Sequence, residues 1–439
     1  APTPAPEPAP SPAPTPSPAP EPAPAPSPAP APAPYPEPTT ALAAPLTAKA
    51  FYDKDKNGNT RTVRNDLGGT LPGMVQFAQD HTVDPSGNEA KNMPRLTMSR
   101  EAMVLVTPDA SLTGITAMQV TVSLNGATMG TVTLRQPDAI FRSDYTATDG
   151  RPDYVYSRRA WTGVLPWQWV QPGMELRVAD NQSRTGSLPA NAIDFGGASE
   201  LVVQSIRLGM LTTPPVSEND HWFRSNPAKA ATDYFQTIPA AKLTAAYYED
   251  VTLPKVMVAT GTIYETASTD TGGWYAGDMR ENTAKSTFSV GINMANYGVT
   301  SSSMVLQTQP QTFQTATIHH ARGVYANGTQ PHGYSGGNSI LTLASSRGNE
   351  FSHEIGHHYG LGHYPGESAG NYFLAVHHHD SGWGFIGHRK RMRSNILWQR
   401  GLNDGLAGSA TLDATYRFAP DAIVCFNVPA TTELYTQLG

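Results

Sequence analysis

A single cysteine, Cys425, stands in the whole chain, so no disulfide can form within it and metal sites built from several cysteines are excluded. Any metal must be held by histidine and carboxylate. The chain also lacks an apolar run of about 18 residues, the length that a membrane-spanning helix needs, so no span is expected. Positive charge is scarce as well. Lys and Arg number 30 against 36 Asp and Glu, a net charge of −6. Phosphate neutralisation needs a concentrated basic surface, so nucleic acid is not an expected partner. The one basic run, His388 to Arg393, reads as a solvated surface loop.

Proline, by contrast, is abundant, and residues 1–45 are mostly Pro and Ala. Such a stretch cannot bury a core and is expected to be a disordered spacer. In polyproline II form, at about 3.1 Å per residue, it would reach roughly 120 Å. The rest has the composition of folded protein, with 39% hydrophobic residues over the chain, and a length suited to two or three domains. The sequence opens at Ala1 rather than at methionine, the start expected of a secreted chain trimmed of its signal peptide.

Residues 46–213 carry strand signals. Ala102 to Val106 is an apolar run, and Met118 to Leu124 and Thr128 to Leu134 flank an Asn125-Gly126 hairpin turn. Val164 to Val170 and Leu201 to Leu208 continue the pattern, and an antiparallel β-sandwich-type domain is expected. Asp53 to Gly58 opens like a calcium loop, but Arg64 stands where the bidentate Glu belongs, so a β-turn is expected there. After Leu211-Thr-Thr-Pro-Pro215 the texture becomes helical, at Ala228 to Gln236 and Ala240 to Glu249. A boundary near 214 gives a second domain over 214–439.

Residues 353–363 read His-Glu-Ile-Gly-His-His-Tyr-Gly-Leu-Gly-His, which is HExxH extended to HExxHxxGxxH. On a helix, His353 and His357 lie four apart on one face, so both imidazoles can reach one ion. Glu354 stands beside the first ligand, placed to take a proton from zinc-bound water rather than to bind the metal. Gly360 lets the helix stop and the chain turn, which brings His363 back as third ligand. Three neutral imidazoles leave a fourth position open, the mark of a catalytic zinc site. HExxH alone arises by chance in about two of a hundred such sequences and the extended form in on the order of one in twenty thousand, so coincidence is set aside. Ser339 to Ala344 reads as a strand feeding this helix, Ser345 or Ser346 as its cap, and Phe351 and Ile355 as its buried side.

With these residues the sequence resembles the secreted bacterial zinc metalloproteases of the dictomallein, StcE and TagA type, which are metzincin-like. The likeness extends to Tyr234-Phe-Gln-Thr-Ile-Pro239, Gly272-Gly-Trp274, Ala295-Asn-Tyr-Gly298, Arg322-Gly-Val-Tyr-Ala-Asn-Gly328 and His332-Gly. It implies an α+β chain with a metzincin-like protease domain behind the β-rich one, and one zinc ion per chain. It further implies a secreted bacterial endopeptidase that cleaves extracellular proteins. In the StcE branch it implies mucin-type O-glycosylated substrates. Metzincins place a Met-turn beneath the metal, and the only methionine after His363 is Met392. Either the chain is truncated or altered before that turn, or Met392 substitutes for it. The alternative from another class is a secreted or surface binding protein with a vestigial zinc site.

Three further residues are candidate oxyanion or substrate contacts: Tyr364, just after the third ligand, Trp274 between glycines and Tyr275, and His332. His358, about a hundred degrees around the helix from His357, is expected at the surface. The run His377-His378-His379-Asp380 is expected in an exposed loop.

Overall fold

The structure is a computed structural model that describes residues 43–54, 59–87, 95–143, 153–216, 221–236, 238, 240–298, 313–337, 339–346, 349–358, 383–394, 396–400 and 416–420. Residues 1–42 of the Pro/Ala stretch and the 377–380 run lie outside the described residues; at the end of that stretch Ala44 is buried and its amide donates to Ile140 O at 3.0 Å.

Two antiparallel sheets form the first layer pair. One orders its strands Trp161–Leu165, Ala102–Pro108, Gly73–Ala78 and Thr82–Val83; the other orders Gly68–Gly69, Thr185–Leu188, Met174–Asp180, Met118–Leu124 and Ala127–Thr133. Alternation with period two sends Met118, Val120 and Val122 inward beside Leu176 and Val178, against Val75, Phe77, Val104 and Val106 of the facing sheet. Asn125 and Gly126 close a hairpin with φ of 49° and 83°, the twist a two-residue turn requires.

The four-stranded sheet is covered on its outer face too. Met74, Ala78, Met103 and Leu105 meet Phe51, Tyr52, Tyr156, Trp383, Phe385 and Met392 in a second core. A sheet buried on both faces needs unbroken apolar strands, which accounts for the Ala102 to Val106 run. Asp53 is spent inside this core, accepting from Ser157 Oγ at 2.5 Å and the Arg158 amide at 2.7 Å.

The hairpin of Trp383–Ile386 and Arg391–Ser394 belongs to this part of the molecule. Thr82 Oγ1 donates to Trp383 O at 2.9 Å, and the Phe385 amide donates to Gln79 O at 2.6 Å. Two expectations are thereby corrected. The basic run is a hairpin rather than a loop: His388 to Lys390 form its half-exposed turn and Arg391 to Arg393 enter its second strand. Met392 is fully buried among the aromatic rings of the β-rich part, so it does not stand in for a Met-turn.

The second sheet runs Lys242–Tyr247, Glu200–Met210, Phe313–Tyr325, Ile340–Thr342 and Ser335–Gly337. The first four strands are parallel and the last is antiparallel. On one face lie Trp222–Ser225, Pro227–Phe235 and Asn349–His358, packed over Leu201, Val203, Ala316, Ile318 and Leu341. On the other lie a π-helical segment, Arg280–Ser289, and its α-helical continuation Val290–Tyr297, closed by Gly298 at φ 64°.

This sheet is built from segments on both sides of residue 213. Glu200–Met210, placed before 213 in the sequence reading, pairs on both sides with strands beyond it. A central parallel strand and a sandwich strand are equally apolar runs, so periodicity could not separate them. Lys242–Tyr247 is a strand rather than the expected helix; parallel pairing with Glu200–Ser205 overrides its alanines. The described residues are mostly sheet with few helices, consistent with the expected α+β class and β-rich part.

The two parts are joined by Arg100, which is 2% exposed. Its guanidinium donates to Ile238 O, to Ala240 O at 3.0 Å and to Phe235 O at 2.9 Å, and lies 3.5 Å from Asp80. A cation thereby meets the last carbonyl of the Pro227–Phe235 helix and two carbonyls of the segment that follows it.

Candidate metal centre

The helix Asn349–His358 carries positions 353 and 357 one turn apart on one face. Phe351 and Ile355 enter the core of the second sheet, the Phe351 ring centroid lying 4.7 Å from Phe223 and 4.4 Å from Tyr234. At Gly336 the strand comes so close that a Cβ there would stand 2.7 Å from Glu354 Cβ. Only glycine allows that approach. At the last turn, the Ser339 amide donates to His358 Nδ1 at 3.0 Å and His358 Nε2 donates to Gln314 Oε1 at 3.0 Å. Burial lowers the pKa of this imidazole to about 4. The expected surface position of His358 is therefore corrected: the side of the helix away from the ligand face meets the sheet, not solvent.

Glu354 is 2% exposed, and its Oε2 has no hydrogen-bond partner among the described residues. Burial pushes its pKa up to about 8; the Glu350 carboxylate adds to the rise and Arg280 opposes it. An unpartnered buried carboxylate oxygen is costly unless a water or an ion serves it. Two histidine positions one turn apart beside such an oxygen are a donor set suited to zinc. His357 is half-buried. His363 and Tyr364 lie outside the described residues, and among the described residues no group of three His, Cys, Asp or Glu gathers around one point.

Beside the helix, the 268–278 loop presents Trp274 and Tyr275, which are 41% and 58% exposed. The loop is held by its own polar groups. Ser268 Oγ donates to Asp278 Oδ1 at 2.7 Å, the Asp278 amide to Asp270 Oδ2 at 2.9 Å, and Asn327 exchanges two hydrogen bonds with the backbone of Gly272 at 3.0 and 2.9 Å. Gly272 and Gly277 lie flat on the Tyr325 ring, into which a Cβ on either would run. The Trp274 ring stands edge-on to Tyr334 at 5.1 Å, and Tyr275 is 6.3 Å from Tyr334. Burial first, then Glu354 and Glu350, raise the Tyr275 pKa, so these rings share the carboxylates' surroundings.

His332 lies beneath this loop. It is 1% exposed, its Nδ1 donates to Gly273 O at 2.7 Å, and its Nε2 accepts from the Tyr325 hydroxyl at 2.9 Å. That hydroxyl in turn accepts the Arg280 amide at 3.1 Å. With both nitrogens engaged, His332 props the Trp274 loop from beneath. Desolvation lowers its pKa to about 4.

The sequence reading also missed Glu350, Arg280 and Tyr334. Arg280 is 3% exposed and donates to Ser335 Oγ at 2.5 Å, next to the strand position that touches Glu354. Glu350, four residues before Glu354, was legible only as a first-turn acid. No local pattern announces partners supplied by distant loops.

An HExxH helix laid on a mostly parallel sheet, with a buried carboxylate facing no protein partner, defines the class: a candidate metal centre of hydrolase type. Residues 150–422 match the Peptidase M66 family, and the chain belongs to that family. It is 35% identical over 344 residues to the ToxR-activated gene A lipoprotein of Vibrio cholerae serotype O1, a match covering 78% of this chain and 33% of that protein. It is 39% identical over 243 residues to Metalloprotease StcE of Escherichia coli O157:H7, covering 55% of this chain and 26% of that protein. The chain thus spans about a third or less of the length of these relatives. Among the described residues, no helix is long and apolar enough to cross a membrane.

Proposed function

We propose that this chain is a secreted bacterial zinc endopeptidase with a metzincin-like catalytic domain. It hydrolyses peptide bonds of extracellular proteins, mucin-type O-glycoproteins among them. The observation that carries the reading is Glu354, whose buried Oε2 has no protein partner on the helix that also bears His353 and His357. His353, His357 and His363 would hold one zinc ion, which supplies a Lewis acid for the scissile carbonyl and acidifies water. Glu354 takes the proton of the attacking water at Oε2 and returns it to the departing amine, so no covalent intermediate is needed. Tyr364 is the candidate donor to the developing oxyanion. Trp274, exposed beside the carboxylates, is the candidate contact for a sugar face or an apolar side chain.

The test is Glu354→Gln in the full chain. It should keep one zinc per chain and the folding midpoint while lowering cleavage of a mucin-type glycoprotein by about 10²- to 10⁴-fold. Equal cleavage by variant and wild type would remove Glu354 from the role of base. Repeating the assay after O-glycan removal separates a glycoprotease from a general protease.

A further inference from the structure

Glu350 takes no part in the chemistry above, yet three backbone amides converge on its carboxylate. Oε1 accepts from Tyr334 at 2.9 Å and from Ala344 at 2.7 Å; Oε2 accepts from Ser345 at 2.7 Å. The donors come from two segments, one before Ser335–Gly337 and one after Ile340–Thr342. Amide bonds to an ionised carboxylate are stronger than neutral ones, so Glu350 ties both loops to the first turn of the helix.

Tyr334 gives the tie its consequence. Its φ is 53°, a left-handed conformation that a bulky side chain adopts only when its surroundings impose it. Its ring meets Trp274 edge-on at 5.1 Å and lies 6.3 Å from Tyr275. Gly333 joins the same assembly: its amide donates to Trp274 O at 3.2 Å, and a Cβ there would stand 2.8 Å from the Ala344 nitrogen. One bond thus links the Glu350 carboxylate to the residue on which both other exposed rings lean.

We propose that Glu350 is a positioning residue that sets the aromatic group of Trp274, Tyr275 and Tyr334, and through it governs substrate affinity rather than the chemical step. The inference rests on the function proposed above in taking that group to face substrate. A helix-stabilising acid at the first turn would show only as a loss of stability; a positioning residue separates KM from kcat.

The experiment uses the full zinc-loaded chain with Glu350→Ala and Glu350→Gln. Alanine removes all three bonds. Glutamine can keep Oε1 for Tyr334 and Ala344 but turns an NH₂ toward the Ser345 amide. Glu350→Ala should raise KM for a mucin-type glycoprotein by roughly tenfold or more, with kcat within about threefold of wild type. Glu350→Gln should raise KM by a smaller factor. Near-UV circular dichroism supplies a readout that needs no turnover: the part of the signal lost in Trp274→Phe should be diminished by Glu350→Ala and unaffected by Glu354→Gln. A fall in kcat at constant KM, or an unchanged Trp274 signal in Glu350→Ala, overturns the proposal. Should the alanine variant not fold, Glu350→Ser, whose short side chain cannot reach the three amides, takes its place, and a wild-type KM there overturns the proposal as well. If the wild-type chain cleaves nothing, the proposed function fails while the Trp274 signal still decides the positioning role.

Discussion

Between the sandwich sheets the buried side chains are apolar, Val75, Phe77, Val104, Val120, Leu176 and their neighbours. The strand Phe313–Tyr325 in the second sheet is different. One face sends Ala316 and Ile318 into an apolar core, while the other buries Thr315, Thr317 and His319. These are matched one by one: Asn293 Oδ1 accepts from Thr315 and Thr317 at 3.0 and 3.1 Å, and His319 bonds Ser289 Oγ at 3.0 Å and Thr342 Oγ1 at 2.8 Å. An apolar core tolerates exchange of similar volumes. A matched polar one fixes a single arrangement, because each lost partner strands a buried group. The strand that runs through the candidate-site half thus carries a matched polar face that the sandwich interior lacks.

Breaking the link between the halves should have the largest effect on stability. Arg100→Met leaves Asp80 and the carbonyls of Phe235, Ile238 and Ala240 without their buried cation, a loss of about 3–5 kcal/mol. Chemical unfolding should then show the halves separating into two transitions. A single unshifted transition would mean that the halves are joined elsewhere.

Gly336→Ala sharpens the contrast within the second half. The added methyl would meet the backbone of the zinc-motif helix, and overpacking of this kind costs about 1–3 kcal/mol. Displacement of the helix should cost more in rate than in stability, on the order of 10²-fold in cleavage. Wild-type cleavage in a destabilised variant would show that the helix position is not critical.

The smallest effect concerns pH. His332 titrates near 4 in the fold against an ordinary value of 6.5, and desolvation moves His319 and His320 the same way. Between those limits the unfolded chain binds protons that the folded chain refuses. The histidine contribution should therefore fall as pH drops from about 6.5 to about 4, against an opposite contribution from Glu354, whose raised pKa makes stability fall as pH climbs from about 4.5 toward 8. His332→Gln should reduce the slope by about one proton; an unchanged slope would remove His332 from the account.

The sequence made local features legible: the Asn125-Gly126 hairpin, the alternation of Met118–Leu124, the helix Pro227–Phe235 and the spacing of the zinc motif each depend on residues within one or two turns. What it hid depends on distant partners. Lys242–Tyr247 becomes a strand only because Glu200–Ser205 lies beside it. Met392 packs on Met74 and Phe51, far away in sequence, and His332, His358 and Glu350 have roles only through backbone groups brought up from other segments. Titratable types in a motif-rich stretch look alike as ligands, props and anchors until those partners are known.

The central claim is a zinc centre made of three histidines from residues 353–363, and X-ray absorption at the zinc edge of the purified, metal-loaded chain tests it most directly. The account predicts one zinc per chain with nitrogen and oxygen donors near 2.0–2.1 Å and the multiple scattering of three imidazoles. A shell with fewer imidazoles, or with sulfur at about 2.3 Å, which only Cys425 or a methionine could supply, would contradict it.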